Sequence, residues 1–436
     1  MAIAYKTERF QVYDKAKEIR LKHFREVLAA NEQGRFVSLG NMHAPKEFIG
    51  AMFPDFIHVG GEPWAVFVTR EGEETGLPTK AVEEVEKHGY TRDMCGFMRM
   101  SWGSMFLDQS PWGKPFPKPQ VVIATNQCDY KGKWSQVMSE HLGVPFYCVE
   151  CGNYQADASW KPHEPSIQYM VGQFHDFIGW LEKTFERPFD PDRFTQMMAN
   201  TYRSRCLWAE VIQLQSHVPA PLEFKLLLPF FLSMEYWAYK QEIVDLLTEF
   251  RDETKDRIAR GITPLPEERC RVIHEGLPPW YALYMFRFLR EHNIAVVAGS
   301  NHVMFMPSVL KIPDDGHFDP QSPVNWEGIP RNLDEALRFR ATMQWQGDIW
   351  GIDPRRKTYC LLQTLKMLKA QGVIFEQDRG CEFFSVGVPE VKRAVQQAGY
   401  AAMQYESNRV DQREWSWPHV SDAMDAFVEA LGIPKK

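Results

Sequence analysis

Several stretches that would assign a function at sight are missing from this chain of 436 residues. It has no run of five or six Lys or Arg and carries a net charge of −7, so it lacks the electrostatic footprint of a nucleic-acid-binding protein. The amino terminus, Met1-Ala-Ile-Ala-Tyr-Lys-Thr-Glu-Arg9, has no apolar core of the ~7–15 residues that an export signal requires. The most apolar segment, residues 226–237, falls short of the ~20 residues that span a bilayer and contains Glu235. A buried helix is the expectation there, with no membrane partner. No G-x-x-x-x-G-K-[ST] loop and no G-x-G-x-x-G after a strand is present, which argues against nucleotide hydrolysis or dinucleotide binding by the chain itself. A G-x-S-x-G elbow is absent too, weakening a serine hydrolase reading.

What remains is an aromatic-rich globular composition, 44% hydrophobic and 25% charged, with 14 Trp and 29 Phe. That is enough apolar side chain for more than one core, and the length predicts two or three domains. The eight cysteines, at 95, 128, 148, 151, 206, 270, 360 and 381, occur without an export signal. Reduced thiols or metal ligands in the cytoplasm are therefore expected rather than a disulfide framework.

Short β-branched runs at 36–39, 56–59, 121–125 and 144–150 alternate with helical patterns at 46–52 and 133–142. A second alternation has strands at 271–274, 294–298, 372–375 and 401–405, with helices at 280–291, 389–398 and 420–431. Between them, 166–250 is helical and aromatic, with Pro188, Pro191, Pro219, Pro221 and Pro229 as expected breaks. The expected fold class is α/β: two parallel-sheet domains of the Rossmann or flavodoxin-like kind, joined by a helical connector. The expected limits are 1–34 for an N-terminal helix, 35–165 for the first α/β domain, 166–265 for the connector and 266–436 for the second α/β domain. The Pro-rich segment 111–119 reads as a loop.

Ligands in open α/β sheets gather beyond the carboxyl ends of strands, and two thiols fall there. Cys128 ends the run Val121-Val-Ile-Ala-Thr-Asn-Gln-Cys128, and Cys381 follows the strand at 372 in Gln377-Asp-Arg-Gly-Cys381. A cysteine in an apolar chain is ordinarily a small buried hydrophobe; the polar strand-end setting is what distinguishes these two. Cys95 gains from Gly96, which would let backbone approach a bulky ligand. Thiolates at 95, 128 and 381 suit iron or zinc, although dispersed ligands are a weak signal. Cys148 and Cys151 form the one C-x-x-C, but Cys148 lies within an expected strand, and a structural role is the expectation for the pair. His43, Glu62, His274 and His302 lie at or near strand ends, where proton donors are useful. A hydrogen-bonded structural role is the ordinary alternative for each.

The thiols and their surroundings also carry a resemblance. Pro45-Lys-Glu-Phe-Ile-Gly-Ala-Met52, Cys95 with Arg99, Asn126-Gln-Cys-Asp129, Gly372-Val-Ile-Phe-Glu-Gln-Asp-Arg-Gly-Cys381, Val388-Pro-Glu-Val-Lys392, Tyr405-Glu-Ser-Asn408 and Asp411-Gln-Arg413 are similar to the 2-hydroxyacyl-CoA dehydratase and benzoyl-CoA reductase family. Within it the chain most resembles the larger cluster-bearing, B-type subunit of the ATP-dependent class I benzoyl-CoA reductases. The resemblance implies that Cys95, Cys128 and Cys381 hold a [4Fe–4S] cluster in the crevice between the α/β domains, with one iron left open. It sets Cys148 and Cys151 aside. It implies single-electron reduction of benzoyl-CoA to a cyclic dienoyl-CoA, with removal of water from a 2-hydroxyacyl-CoA as the close alternative. A non-catalytic electron-transfer or scaffold subunit is the alternative of another class. The implied partners are a homologous cluster-bearing subunit, an ATP-hydrolysing activator with its own iron–sulfur cluster, and a low-potential ferredoxin as electron source. His43 and Glu62 stand as candidate catalytic groups. Lys131, Lys133 and Arg379 are placed to meet the phosphates of CoA.

Overall fold

The computed structural model describes residues 5–152 and 159–434, without the side chains of 348–352. Residues 1–4, 153–158 and 435–436, which fall within the expected segments 1–34, 35–165 and 266–436, lie outside the described residues.

Eight strands form two four-stranded sheets. The first contains β1 (Val37–Gly40), β2 (Ile57–Gly60), β3 (Val121–Thr125) and β4 (Phe146–Val149) in the order β2-β1-β3-β4. The second contains β5 (Cys270–Glu275), β6 (Ile294–Gly299), β7 (Gly372–Asp378) and β8 (Ala401–Ser407) in the order β6-β5-β7-β8. Every neighbouring pair is parallel. The two sheets thus share one topology. In each, the third strand of the chain is internal and delivers a cysteine three residues beyond its end. All eight expected strands are present, with ends displaced by up to three residues.

These runs become strands because helices cover both faces. β1, β2, β3, β5 and β6 are buried along their whole length, as parallel strands are when crossover helices cap them. The edge strands β4 and β8 are less covered. In β4 three of four residues are only half-buried, and Tyr147 packs on Phe177 and Trp180 of the helix Glu164–Phe185 with ring centroids 4.8 and 5.1 Å apart.

The helical segment is Glu164–Phe185, Pro191–Leu214, Phe224–Trp237 and Gln241–Ala259. The first helix of the chain, Val12–Ala29, packs on the last two of these. Pro229 does not break its helix, contrary to expectation; it lies inside Phe224–Trp237. The lost N–H donor costs that helix one hydrogen bond, offset by burial of Leu227, Leu228, Phe230 and Phe231 around it. The helix expected over 280–291 starts only at Met285, because Trp280 is held in a turn, donating its backbone N–H to the Arg409 carbonyl at 2.9 Å.

Helices Gly61–Glu71, Leu77–Lys87, Gly96–Phe106, Leu333–Ile352 and Pro354–Leu368 were not among the expected elements, although Leu77–Lys87 and Pro354–Leu368 bury residues at helical spacing. Most of the Gly96–Phe106 helix is buried all round, and a helix without an exposed face leaves no amphipathic stripe to read. Among the described residues no helix is long and apolar enough to cross a membrane.

Candidate functional site between the two sheets

Three thiols reach one place by two routes. Cys128 and Cys381 follow β3 and β7, and each is the residue capping the next helix, Asp129–Leu142 and Glu382–Ser385. Cys95 comes from no strand; it caps the amino end of Gly96–Phe106. In all three, nearby backbone N–H groups of the first turn pull the thiol down: Met98 at Cys95, Tyr130 and Lys131 at Cys128, Phe384 at Cys381. Helix amino ends favour negative charge.

Close backbone approach seats Cys95. A β-carbon on Gly380 would lie 2.5 Å from the Met94 carbonyl oxygen and 3.2 Å from Cys95 Cα, so only glycine lets the Cys381 loop touch the Cys95 loop. Gly96 serves a different neighbour from the one expected of it: its missing side chain makes room for Asn408, whose Oδ1 would be 2.2 Å from a β-carbon there. Arg99, fully buried, pairs with Glu86 at 2.8 Å and Asp411 at 3.3 Å. Arg413 closes the ring, 2.6 Å from each of those carboxylates. This four-charge clamp ties the Cys95 helix to the loop beyond β8, which accounts physically for Arg99, Asp411 and Arg413 in the motifs.

Together the thiols line a cavity with about 780 Å³ of free space, open solvent at its mouth included. Its wall is largely aromatic and aliphatic, with Phe97, Trp134, Phe231, Trp280, Phe305 and Phe384 among its residues. Met42, Glu62, Gln127, Leu277, Asn301 and Arg409 also line it, and each stands two residues past the end of β1, β2, β3, β5, β6 or β8. The cavity is therefore the meeting of the carboxyl ends of both sheets. Asp129 and Glu382, each next to a cysteine and exposed, interact so that the Glu382 carboxyl is raised.

Burial pushes the thiols of Cys95, Cys128 and Cys381 up, and they raise one another further where their charges couple. Lys131 opposes the rise at Cys128 and Arg409 opposes it at Cys381. Arg409 is itself held by Glu376 at 2.8 Å, with its guanidinium 4.9 Å from the Phe384 ring centre. Burial raises Glu376 to about 7 and also raises Asp378. Glu62 is raised by burial, against the pull of Lys131 at 3.7 Å.

All three thiols are part-exposed, whereas Cys151, Cys206, Cys270 and Cys360 are buried. Cys148 is also part-exposed but lies on edge strand β4 and does not line the cavity; Cys151 does not line it either. Among the described residues no three His, Cys, Asp or Glu side chains are gathered as for a single metal ion. Thiolates that bind different irons of one cluster stand farther apart than ligands of one ion. Three sulfurs lining one cavity, each near the amino end of a helix and with two cations nearby, fit an iron–sulfur cluster in donor type and charge.

Of the other expected groups, Glu62 and Lys131 line this cavity. His43 lines an adjoining polar pocket with Lys46, Glu47, Arg205, Glu235 and Arg340; its Nε2 is 3.2 Å from Glu235, and burial drops it to about 3. Lys133 is exposed, 3.4 Å from Gln136. Arg379 is exposed and bound to Glu406 at 2.7 Å. His274 contacts the Tyr405 hydroxyl at 2.8 Å, and His302 accepts the Gly299 N–H at 3.2 Å; neither lines the cavity. Gln127, Asn301 and Arg409 were not singled out from sequence, though each stands just beyond an expected strand, which was the signal available.

The sequence profile of a family described as 2-hydroxyglutaryl-CoA dehydratase, D-component, matches residues 42–431. The chain is 21% identical to the alpha subunit of (R)-phenyllactyl-CoA dehydratase of Clostridium sporogenes, over 96% of this chain and 98% of that one. It is 22% identical to the B subunit of the benzoyl-CoA reductase of Thauera aromatica, over 80% and 79%. It is 20% identical to the alpha subunit of (R)-2-hydroxyglutaryl-CoA dehydratase of Acidaminococcus fermentans, over 72% and 61%. Identities this even do not single out the B-type reductase subunit.

Proposed function

The chain belongs to the 2-hydroxyglutaryl-CoA dehydratase D-component family, and from that premise we propose that it is the cluster-bearing catalytic subunit of an enzyme acting on an aromatic acyl-CoA thioester. The reading that leads is reduction of benzoyl-CoA to a cyclic dienoyl-CoA. The observation that carries it is the convergence of Cys95, Cys128 and Cys381 on one aromatic-walled cavity. These three residues would hold a [4Fe–4S] cluster, which when bound supplies single electrons and, with three protein ligands, an open iron able to act as a Lewis acid.

The chain's own side chains have definable work. Trp134, Trp280, Phe231 and Phe384 give a planar acyl group apolar surfaces to lie against and keep water from it. Glu62, raised by burial, is the group placed to hold a proton in the cavity. Lys131 is better placed to set the charge of Glu62 than to meet a phosphate, because it is buried beside it. Lys133 and Arg379, outside on the two thiol-bearing segments, would meet the phosphates of CoA. His43, buried and neutral, would orient Glu235 rather than donate a proton.

The second reading is dehydration of a 2-hydroxyacyl-CoA with an apolar side chain. It is favoured by the dehydratase subunits among the relatives. Those relatives are named as subunits, which supports a homologous partner subunit here. An ATP-hydrolysing activator and a low-potential ferredoxin complete the proposed assembly, which acts in the cytoplasm.

The test is anaerobic purification of wild type and of Cys128→Ala and Cys148→Ala variants. Cys128→Ala is expected to lose iron, acid-labile sulfide and turnover, while Cys148→Ala keeps them. Full iron and sulfide in Cys128→Ala would refute the ligand set. Assays with benzoyl-CoA against a 2-hydroxyacyl-CoA, with activator and ATP, separate the two reactions. A cluster spectrum unmoved by saturating thioester would favour a pure electron-transfer subunit.

A further inference from the structure

Asn301 is the least satisfied polar side chain on the cavity wall. It is 1% exposed, and among the described residues neither its Oδ1 nor its Nδ2 meets a hydrogen-bond partner. Such an arrangement costs free energy on both atoms unless something binds there. The side chain is not loosely placed. It is seated over Gly299, where a β-carbon would come within 2.3 Å of Oδ1 and 2.7 Å of the Phe224 ring. Asn301 occupies in the second sheet the place that Glu62 occupies in the first, two residues beyond an edge strand.

Its position defines which part of a ligand it meets. Cys381 follows β7, and β5 lies between β7 and β6. At about 4.8 Å per strand, the Asn301 strand lies roughly 10 Å across the sheet from the Cys381 strand. Leu277, from the end of β5, lines the cavity between them, and Met304 and Phe305 follow Asn301 itself. That wall is apolar. A thioester held at the sulfur end would therefore present the far part of its acyl group to Asn301.

The chemistry of the partner follows from the amide. A primary amide donates through nitrogen and accepts through oxygen, and carries no charge. The cations of the cavity are engaged elsewhere, Lys131 beside Glu62 and Arg409 on Glu376. A carboxylate at Asn301 would be buried without a counter-charge. A hydroxyl can donate to Oδ1 or accept from Nδ2, and so suits the amide in either sense.

We propose that Asn301 hydrogen-bonds a hydroxyl carried on the acyl group remote from the thioester, and thereby selects a hydroxylated aromatic acyl thioester over its unsubstituted counterpart. This rests on reading the cavity as the acyl-thioester site. A pocket that pairs a buried polar group with a substrate hydroxyl discriminates strongly against the analogue without it; a preference of roughly tenfold or more is expected here.

The experiment measures equilibrium binding of benzoyl-CoA, 3-hydroxybenzoyl-CoA and 4-hydroxybenzoyl-CoA to the anaerobically purified protein with its co-purifying subunits. Wild type is compared with Asn301→Leu and Asn301→Ser. Wild type should bind one of the hydroxybenzoyl thioesters at least about tenfold more tightly than benzoyl-CoA. Asn301→Leu should abolish that preference, and Asn301→Ser should retain part of it. Equal wild-type affinity for all three thioesters would overturn the inference without recourse to a variant. So would a uniform loss across all three in Asn301→Leu with its cluster spectrum unchanged. If wild type binds none of them, the reading of the cavity as an acyl-thioester site fails instead, and the role of Asn301 with it.

Discussion

Gly380→Ala should separate the seating of the thiols from the stability of the fold. The added β-carbon would sit 2.5 Å from the Met94 carbonyl oxygen, 2.9 Å from its carbon and 3.2 Å from Cys95 Cα. Ordinary carbon–oxygen contact begins near ~3.3 Å, so the two loops must part by roughly 0.8 Å. All three obstructing atoms are main chain, so no side chain can swing aside. Metal–ligand distances tolerate only about 0.2 Å, which makes the displacement several times too large for Cys95 and Cys381 to serve one cluster unchanged. As an overpacking change it costs on the order of 1–3 kcal/mol, and for a chain of 436 residues that lowers the melting temperature by only roughly 1–3 °C. The expected result is a several-fold fall in iron and acid-labile sulfide per chain, with far-ultraviolet circular dichroism preserved. Gly132→Ala is the matched control. It lies inside the Cys128 helix with nothing within 4 Å of a built β-carbon, and should keep its iron and gain about 0.5–1 kcal/mol of helix propensity. A Gly380→Ala protein with full iron and sulfide would show that this approach is not what seats the thiols.

Lys131→Met should raise the Glu62 carboxyl further, because the opposing charge 3.7 Å away is lost; since Glu62 acts in its protonated form, the alkaline limb of the pH–rate profile then moves to higher pH, and an unmoved limb would remove Glu62 from the proton chemistry. His274 and His302 are buried and lowered to about 3 from 6.5. Their depressed values mean that the unfolded chain takes up protons first as pH falls, so the stability they contribute is intact above 6.5 and declines progressively from there towards pH 3. Each should cost about 2 kcal/mol between pH 7 and pH 5, seen as a falling denaturant midpoint, with a shallower slope in His302→Leu. Gly299→Ala should displace Asn301 through the 2.3 Å contact with Oδ1 and reduce discrimination among acyl thioesters in a binding assay without loss of iron.

Much of the architecture was written locally. All eight strands and the order of secondary structure through most of the chain follow from short apolar runs ended by Gly and polar residues. Two of the three thiols were legible for the same reason, since a cysteine just past a buried strand must stand at the carboxyl edge of the sheet. Local pattern was weakest where burial is complete. The Gly96–Phe106 helix has no polar face to mark its period, and Pro229 looked like a break because the apolar contacts that hold its helix together come from elsewhere in the chain.

Local sequence sets which residues stand at strand ends, because strand and turn preferences act over a few neighbours. Tertiary structure alone decided which of those ends face one another. Cys95 meets Cys381 through the contact of Gly380 with Met94, nearly three hundred residues away in the chain. Arg409 and Asn301 enter the cavity only because the two sheets meet at their carboxyl ends. Such contacts depend on long-range packing, which no local periodicity encodes.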